Sequence, residues 1–209
     1  MRGPRENPCF DREEGSCRSG GGESLAGLYQ NLARLLARGE RAVVAIDGRC
    51  AAGKSTLARK LSERFNIPVA HMDHFFLRPE QRTEARLETP GENVDHERFL
   101  REVLEPLAAG EAVAYRPYSC QTETLDEPVV LGSSPVVLVE GSYSCHPALW
   151  DFYARRIFLT VDPQEQLRRI EARDGPLKLR AFREKWIPLE ERYFSAFQVE
   201  ERCDYQLEI

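Results

Sequence analysis

The chain has no long apolar run. No stretch approaches the roughly 18 residues that a membrane-spanning helix requires, and the first residues lack the apolar segment of a secretory signal. We therefore expect a cytoplasmic protein without a membrane partner.

Clusters of lysine and arginine are missing as well. The formal net charge is -5, and anionic partners such as nucleic acids or membrane surfaces would repel an acidic protein. The sequence predicts no nucleic-acid partner, and it leaves open whether the protein is a monomer or a homo-oligomer. The six cysteines contain no C-x-x-C pair, which predicts free thiols rather than a disulfide framework or a structural zinc site.

The first 23 residues contain few large apolar side chains and many Gly, Ser, Arg and Glu. Such a segment cannot bury enough surface to offset the entropy of ordering, so we expect residues 1–23 to be a mobile tail and residues 24–209 to form one domain. After Ser24, leucines recur at helical spacing until Gly39. This pattern predicts an amphipathic helix with Ser24 as its N-cap.

From residue 41 onward, apolar strand candidates alternate with helical segments. The strand candidates are AVVAI (42–46), IPVAHM (67–72), PVVLVE (135–140), RRIFLTV (155–161) and a short segment at 205–209. Alternation of this kind predicts a mostly parallel sheet with helices on both faces, a three-layer α/β fold. Ligands in such folds bind at the carboxyl ends of the strands.

The stretch GRCAAGKST satisfies the pattern G-x-x-x-x-G-K-[ST] and lies between a strand and a helix. Glycines permit a tight turn whose amides face phosphate oxygens. Lys54 is expected to reach the β- and γ-phosphates, and Ser55 to bind Mg²⁺. The pattern predicts a P-loop NTPase-type fold in which nine residues bind nucleotide: Gly48, Arg49, Cys50, Ala51, Ala52, Gly53, Lys54, Ser55 and Thr56.

Two acidic residues follow other strand candidates. Glu140 comes directly after an apolar run, where a carboxylate can support Mg²⁺. Asp73 lies in HMDHFF, at the end of a second strand candidate. On an extended chain His71 and Asp73 share a face while His74 points away, so we do not expect a transition-metal site there.

The motifs AIDGRCAAGKST, HMDHFF and VEGSY, with a late Arg-rich segment, resemble the uridine kinase family and its phosphoribulokinase and pantothenate kinase relatives. The resemblance covers residues 41–209. It implies an ATP- and Mg²⁺-dependent kinase that phosphorylates a hydroxyl of a small molecule, uridine or a related nucleoside. It also implies that Asp73 is the general base and lies near Mg²⁺.

The same resemblance implies where the acceptor binds. Asp95, in NVDHERF, matches the family's ribose-binding aspartate, although it could simply cap the following helix. Tyr115, Arg116 and Tyr118 match the base-cradling hairpin. His74 could contact substrate or have a structural role. Phe76 stands where the family often has tyrosine and cannot donate a hydroxyl.

QLRRIEARDGPLKLR resembles the kinase lid, which we place at about residues 173–180. Arg169 and Arg173 are four residues apart on a helix and could reach one anion together, where they would neutralise charge on the transferred phosphoryl group. The alternative is a solvated basic face paired with Glu165 and Glu171. Further on, Trp186, Tyr193 and Phe197 are expected to pack in the core.

Two other functions remain open from the sequence. One is a kinase for another acceptor, such as pantothenate, a different riboside or a sugar phosphate. The other is a nucleotide-binding regulator or slow ATPase that phosphorylates no acceptor.

Overall fold

The computed structural model describes residues 24–209, so the predicted tail at 1–23 lies outside the described residues. The first predicted helix is confirmed as α1, Leu25–Arg38. The Ser24 hydroxyl accepts the Gly27 amide hydrogen, and Gly39 ends the helix in the left-handed conformation at φ 64°. Both ends therefore follow the expected capping chemistry.

A five-stranded parallel sheet forms the centre of the domain, in the order β2-β7-β1-β8-β9. Every neighbouring pair in it is parallel, as expected for strands that are apolar on both faces. Its strands are β1 Ala42–Gly48, β2 Val69–His71, β7 Val136–Glu140, β8 Arg155–Thr160 and β9 Tyr205–Glu208.

Each face of the sheet is covered by a separate apolar cluster, which confirms the three-layer arrangement. On one face Ile46 and Leu138 pack with residues of α1 and with Leu61 of α2, Lys54–Phe65. On the other face Phe158 packs with Phe194 from a C-terminal helix. Neighbouring residues of a strand point to opposite faces, so these strands are buried on both sides.

The remaining elements surround the sheet. The α-helices are α3 Glu84–Glu88, α4 His96–Phe99, α5 Glu105–Ala109, α6 Pro163–Ala181, α7 Ile187–Phe197 and α8 Val199–Arg202. Two small antiparallel pairs join β3 Ala114–Tyr115 with β6 Val129–Val130, and β4 Tyr118–Ser119 with β5 Thr124–Leu125. Short 3₁₀ turns occupy Met72–Phe75, Pro79–Gln81 and Pro147–Phe152.

Two π-helical turns, Leu100–Leu104 and Phe182–Trp186, interrupt longer helices. Each ends two residues before a proline, Pro106 and Pro188 respectively. Proline has no N–H, and its ring clashes with the carbonyl four residues earlier. A wider turn moves that carbonyl aside, so the helix continues past the proline.

Helix α6 bends sharply at Gly175, whose φ of 81° and ψ of 170° are not helical, and Pro176 follows. The predicted lid at about 173–180 spans this break. No helix in the described chain is both long and apolar enough to cross a membrane. Cys50, Cys120, Cys145 and Cys203 are free thiols, as predicted, while Cys9 and Cys17 precede the described residues.

Candidate functional site

The phosphate-loop motif forms the turn between β1 and α2. Gly48 has φ 126°, and a Cβ added there would overlap the carbonyl oxygen of Leu159 on the neighbouring strand. Gly53 is the N-cap of α2 and has φ 90°. Residues other than glycine rarely adopt such φ angles. Both positions therefore require glycine, and both lie where the sequence predicted a tight turn.

Lys54 is the first residue of α2, and it is buried. Its Nζ donates to the Gly48 carbonyl at 2.6 Å and to the Arg49 carbonyl at 3.1 Å. These bonds fold the ammonium group back over the loop. The helix N-terminus and this cation together make the turn attractive to an anion.

Ser55 and Glu140, both predicted to hold a metal, are in contact. The Ser55 hydroxyl donates to Glu140 Oε2 at 3.2 Å, and His71 Nδ1 lies 2.6 Å from Glu140 Oε1. Glu140 pairs in register with Ile46 on β1 and with His71 on β2. Parallel strands end at the same edge of a sheet, which explains why residues far apart in sequence meet here.

Asp73 lies in the 3₁₀ turn after β2 and lines the same cleft as Lys54, Ser55 and Glu140. It packs closely against Gly141, because a Cβ added to that glycine would lie 2.9 Å from Asp73 Oδ1. Burial between the cleft walls raises the pKa of Asp73, and the positive charge of Lys54 opposes this shift. A raised pKa suits a carboxylate that accepts a proton.

The expected geometry of HMDHFF was wrong in one respect. Met72–Phe75 forms a 3₁₀ turn rather than an extended segment, and such a turn places residues three apart on one side. The rings of His71 and His74 are therefore only 5.1 Å apart. His74 Nδ1 lies 3.1 Å from the Tyr115 hydroxyl, and burial lowers the His74 pKa.

The cleft has a volume of about 850 Å³. Arg169 and Arg173 of α6 are also among the residues that line it. Arg169 donates to the carbonyl of Ala51 in the phosphate loop at 3.3 Å and pairs with Glu165 at 2.7 Å. Arg173 donates to its neighbour Asp174 at 2.8 Å.

The five residues predicted to bind the acceptor are not among the described residues that line the cleft: His74, Asp95, Tyr115, Arg116 and Tyr118. Asp95 is buried and caps α4, since Oδ1 accepts the Arg98 amide hydrogen at 3.1 Å. Its Oδ2 accepts from Gln81 at 2.7 Å. Arg116 donates to two carbonyls of the small hairpin, and Tyr118 lies 3.4 Å from Arg82.

Residues close by in sequence line the cleft instead. Phe76, Asn93 and Cys120 each lie two positions from a residue in the predicted set, and all three face the cleft. Leu77, Leu87, Arg82 and Tyr143 line the cleft as well. The predicted residues mostly hold these segments in place, because their polar atoms bond to neighbouring protein groups.

Asp47, Trp186 and Glu190 are further residues that the sequence did not predict as functional. Trp186 was expected to pack in the core, but it lines the cleft. Trp186 is the last residue of the π turn Phe182–Trp186, and an insertion of this kind rotates the helix face. Glu190 is buried and also lines the cleft. An acidic pair in an apolar helix, LEERYF, was the available signal.

Asp47 is fully buried directly before the phosphate loop. Its carboxylate accepts from the amides of Gly48, Tyr143 and Cys145 and from the Tyr193 hydroxyl, at 2.7 to 3.2 Å. Burial raises the Asp47 pKa to about 6, against the effect of these hydrogen bonds. Asp47 thus joins the phosphate loop to the segment after β7. An acid at the end of an apolar strand was the sequence signal for it.

No family model matches the chain, and no curated protein sequence matches it. Solved structures do. One is a protein provisionally named as a uridine kinase from Bacillus stearothermophilus, 21% identical, with a TM-score of 0.62 over 86% of this chain and 98% of the other. Another is provisionally named as a fructose transport system kinase from Silicibacter sp. TM1040, also 21% identical, with a TM-score of 0.63 over 88% and 99%.

The chain has the fold of the P-loop kinases. The likeness spans nearly the whole length of both solved structures, so the shared fold includes the central sheet and the helices around it. Because the sequences are only 21% identical, the comparison shows a shared fold and nothing more.

A second polar cluster lies outside the cleft of this P-loop kinase fold. Glu92, His96 and His146 bring three ligand-type atoms within 4.8 Å of one another. However, His146 Nδ1 accepts the Ala148 amide hydrogen at 3.2 Å, so in a neutral ring the proton is on Nε2. A metal-binding nitrogen carries no proton, and its ring partner normally donates a hydrogen bond. The cluster is therefore a hydrogen-bonded network, and burial lowers the His146 pKa to about 3.

Proposed function

We propose that the protein is an ATP- and Mg²⁺-dependent kinase that transfers the γ-phosphoryl group to a hydroxyl of a small molecule. The observation that carries the proposal is the position of Asp73, which shares one cleft with Lys54, Ser55 and Glu140. A phosphate-binding turn, an oxygen pair suited to a hard cation and a carboxylate of raised pKa are the parts that phosphoryl transfer requires.

Each residue has a distinct role in this proposal. Lys54 and the loop amides bind the nucleotide phosphates. Asp73 accepts the proton of the acceptor hydroxyl as its oxygen forms a bond to the γ-phosphorus, while the bond to the β–γ bridging oxygen breaks and ADP leaves. Arg169 and Arg173 neutralise negative charge on the transferred group.

The protein's oxygen atoms fit Mg²⁺. Ser55 and Glu140 offer hydroxyl and carboxylate oxygens at hydrogen-bond distance from each other, and Mg²⁺ prefers such ligands. When bound, Mg²⁺ neutralises charge on the β- and γ-phosphates. Asp73 lies beside this pair and could contribute a further oxygen, directly or through water.

The resemblance of the sequence motifs favours uridine or a related nucleoside as acceptor. The cleft lining combines apolar surface from Phe76, Leu77 and Leu87 with the amide of Asn93 and the guanidinium of Arg82, and in this proposal the acceptor binds against these groups. This combination suits a molecule with one flat or apolar part and several hydrogen-bonding groups. Sugars are the second class to test, because one solved structure of the same fold is provisionally named as a fructose transport system kinase.

The test is an ATP turnover assay with mass detection of products, run across nucleosides, sugars, sugar phosphates and pantothenate. We expect one class to raise turnover well above background. We expect Asp73→Asn to lower that turnover by about 100-fold or more without weakening ATP binding. Asp151→Asn, at an exposed position away from the cleft, is the control.

Two outcomes would contradict parts of the proposal. If no acceptor raises turnover and Asp73→Asn hydrolyses ATP as fast as the unmodified chain, the kinase assignment is wrong and the slow-ATPase alternative stands. If a sugar or pantothenate is phosphorylated best, only the nucleoside assignment is wrong.

A further inference from the structure

Glu190 lies on α7 with its carboxylate between two loops of the cleft. Its Oε2 accepts the Cys50 amide hydrogen at 3.0 Å, and its Oε1 accepts the Ser142 hydroxyl hydrogen at 2.7 Å. Cys50 belongs to the phosphate loop, and Ser142 comes two residues after Glu140. One carboxylate therefore joins the two loops that adjoin the proposed magnesium ligands, Ser55 near the start of α2 and Glu140 at the end of β7.

The packing of α7 does not by itself explain why a carboxylate is buried at position 190. Glu190 is only 5% exposed, and across residues 24–209 no lysine, arginine or histidine lies within ion-pair distance of it. Removing a carboxylate from water without a cation is costly, and an apolar side chain would pack there at lower cost. The adjacent Glu191 differs, because it is partly exposed and pairs with Arg49 at 2.8 Å.

A bound cation would change the contact between Ser55 and Glu140. At present the Ser55 hydroxyl donates to Glu140. When both oxygens instead face a cation, that hydrogen bond no longer sets the spacing of the two residues, so other contacts must hold the loops at the right distance. Glu190 holds both loops and is not itself part of the Ser55–Glu140 contact.

Helix α7 gives Glu190 a firm support. Tyr193 on the same helix donates to Asp47 at 2.9 Å, and Glu191 pairs with Arg49. Arg49 also donates to Thr160 at 2.8 Å. The helix is thus attached to the start of the phosphate loop at several points, and a residue on such a support can fix a distance accurately.

We propose that Glu190 is a positioning residue that ties the phosphate loop to the loop after Glu140 and thereby sets the spacing of Ser55 and Glu140 for Mg²⁺. This inference rests on the proposed function for the identity of the ligand. It assigns a role to a residue whose two carboxylate oxygens accept hydrogen bonds from Cys50 and Ser142.

The experiment is calorimetric binding of a non-hydrolysable ATP analogue, with and without Mg²⁺, to the full chain. We expect Mg²⁺ to tighten binding to the unmodified chain. Glu190→Ala should reduce this Mg²⁺-linked tightening by about ten-fold, the usual effect of removing a group that orients metal ligands. Its affinity measured without Mg²⁺ should stay within about two-fold of the unmodified chain.

Three further variants make the test specific. Glu190→Gln should restore most of the tightening, because its amide can accept from the Cys50 amide and donate to the Ser142 hydroxyl. Ser142→Ala removes one arm of the tie without changing α7, and it provides the test if Glu190→Ala does not fold. When Ser142→Ala is combined with Glu190→Ala, the Mg²⁺-linked tightening should fall little further than in Glu190→Ala alone. Glu201→Ala, on the exposed side of α8, is the control.

Several results would overturn the inference. It is wrong if Glu190→Ala keeps the full Mg²⁺-linked tightening, or if affinity falls equally without Mg²⁺, since the residue would then be a general support. It is also wrong if a folded Glu190→Gln fails to restore the effect, or if Mg²⁺ does not alter nucleotide affinity at all. Since the measurement needs no acceptor, a failed kinase assignment would appear separately, in the turnover assay alone.

Discussion

His71 Nδ1 lies 2.6 Å from Oε1 of Glu140, whose other oxygen accepts the Ser55 hydroxyl hydrogen. The hydrogen bond to Glu140 raises the pKa of His71 above its ordinary value of 6.5, although partial burial opposes the shift. A protonated His71 places a positive charge directly on a carboxylate that we propose supports Mg²⁺. The pair therefore links magnesium binding to pH.

We predict that Mg²⁺ binds more weakly as the pH falls through the raised pKa of His71, because the imidazolium neutralises Glu140. In His71→Asn, which keeps a donor near the Nδ1 position but does not titrate, this dependence should largely disappear. The measurement is Mg²⁺-linked nucleotide affinity between about pH 6 and about pH 8.5. Parallel pH profiles for the two proteins would contradict the prediction.

The same pair has a consequence for stability. Because the folded-state pKa of His71 is raised, its contribution is fully present below the unfolded value of about 6.5 and is lost as the pH rises through the folded value. Urea unfolding across this range should show that the stability difference between the unmodified chain and His71→Asn narrows as the pH rises.

Asp47 should affect stability in the same sense as His71, but over a more acidic pH range. Its pKa rises from 3.8 to about 6 on folding, so between these values the folded state binds more protons than the unfolded state. The free energy of unfolding contributed by this group therefore falls as the pH rises from about 4 to about 6, by on the order of 3 kcal/mol. Asp47→Asn should lack this slope, and Asp151→Asn should keep it. Equal slopes in Asp47→Asn and the unmodified chain would contradict the prediction.

Gly141 tests how closely Asp73 is held. An alanine Cβ there would lie 2.9 Å from Asp73 Oδ1 and 3.0 Å from Met72 Cβ, at a φ of 137°. We expect Gly141→Ala to lower stability by about 1–3 kcal/mol and to reduce turnover by displacing Asp73. Gly132→Ala is the matched control, because an added Cβ meets no atom within 4 Å there, and it should change stability by less than about 0.5 kcal/mol. Unchanged turnover in Gly141→Ala would show that Asp73 tolerates displacement.

Arg169 and Arg173, the two arginines of α6 that line the cleft, differ in their hydrogen-bond partners. Both line the cleft, but Arg169 also bonds to the phosphate loop, whereas the only ion pair of Arg173 within the described residues is with its neighbour Asp174. Arg173→Ala should therefore report on charge neutralisation during transfer, with kcat lowered by about ten-fold to a thousand-fold and little loss of thermal stability. Arg180→Ala is the control, because Arg180 is exposed and pairs with Glu184. Equal kcat values for the two variants would contradict a catalytic role for Arg173.

Features that depend on neighbouring residues were predictable from the sequence. The caps of α1, the apolar strands and the glycines of the phosphate loop follow from local propensity and backbone geometry. Once these strands are parallel, Lys54, Ser55, Asp73 and Glu140 must meet at one edge of the sheet. The centre of the cleft could therefore be predicted before any distance was known.

The contacts around the centre of the cleft could not be predicted from the sequence. Glu190 acts on Cys50 from 140 positions away, and Asp47 bonds to Cys145 across 98 positions. No local pattern encodes such pairs. The predicted acceptor residues illustrate the same limit, since Asp95 became a helix cap while Asn93, two positions earlier, lines the cleft. Small changes in local conformation, such as the 3₁₀ turn at Asp73, decide which of two neighbouring side chains reaches the ligand.

Local sequence patterns determined the order of strands, loops and helices, because hydrophobic periodicity and turn residues act over a few positions. They thereby also determined which polar residues meet at the edge of the sheet. Tertiary packing decided which side chains line the cleft and which buried carboxylates hydrogen-bond to the loops around it. Burial and long-range hydrogen bonds arise only when distant segments meet, and they place Glu190, Asp47 and Trp186 at this site.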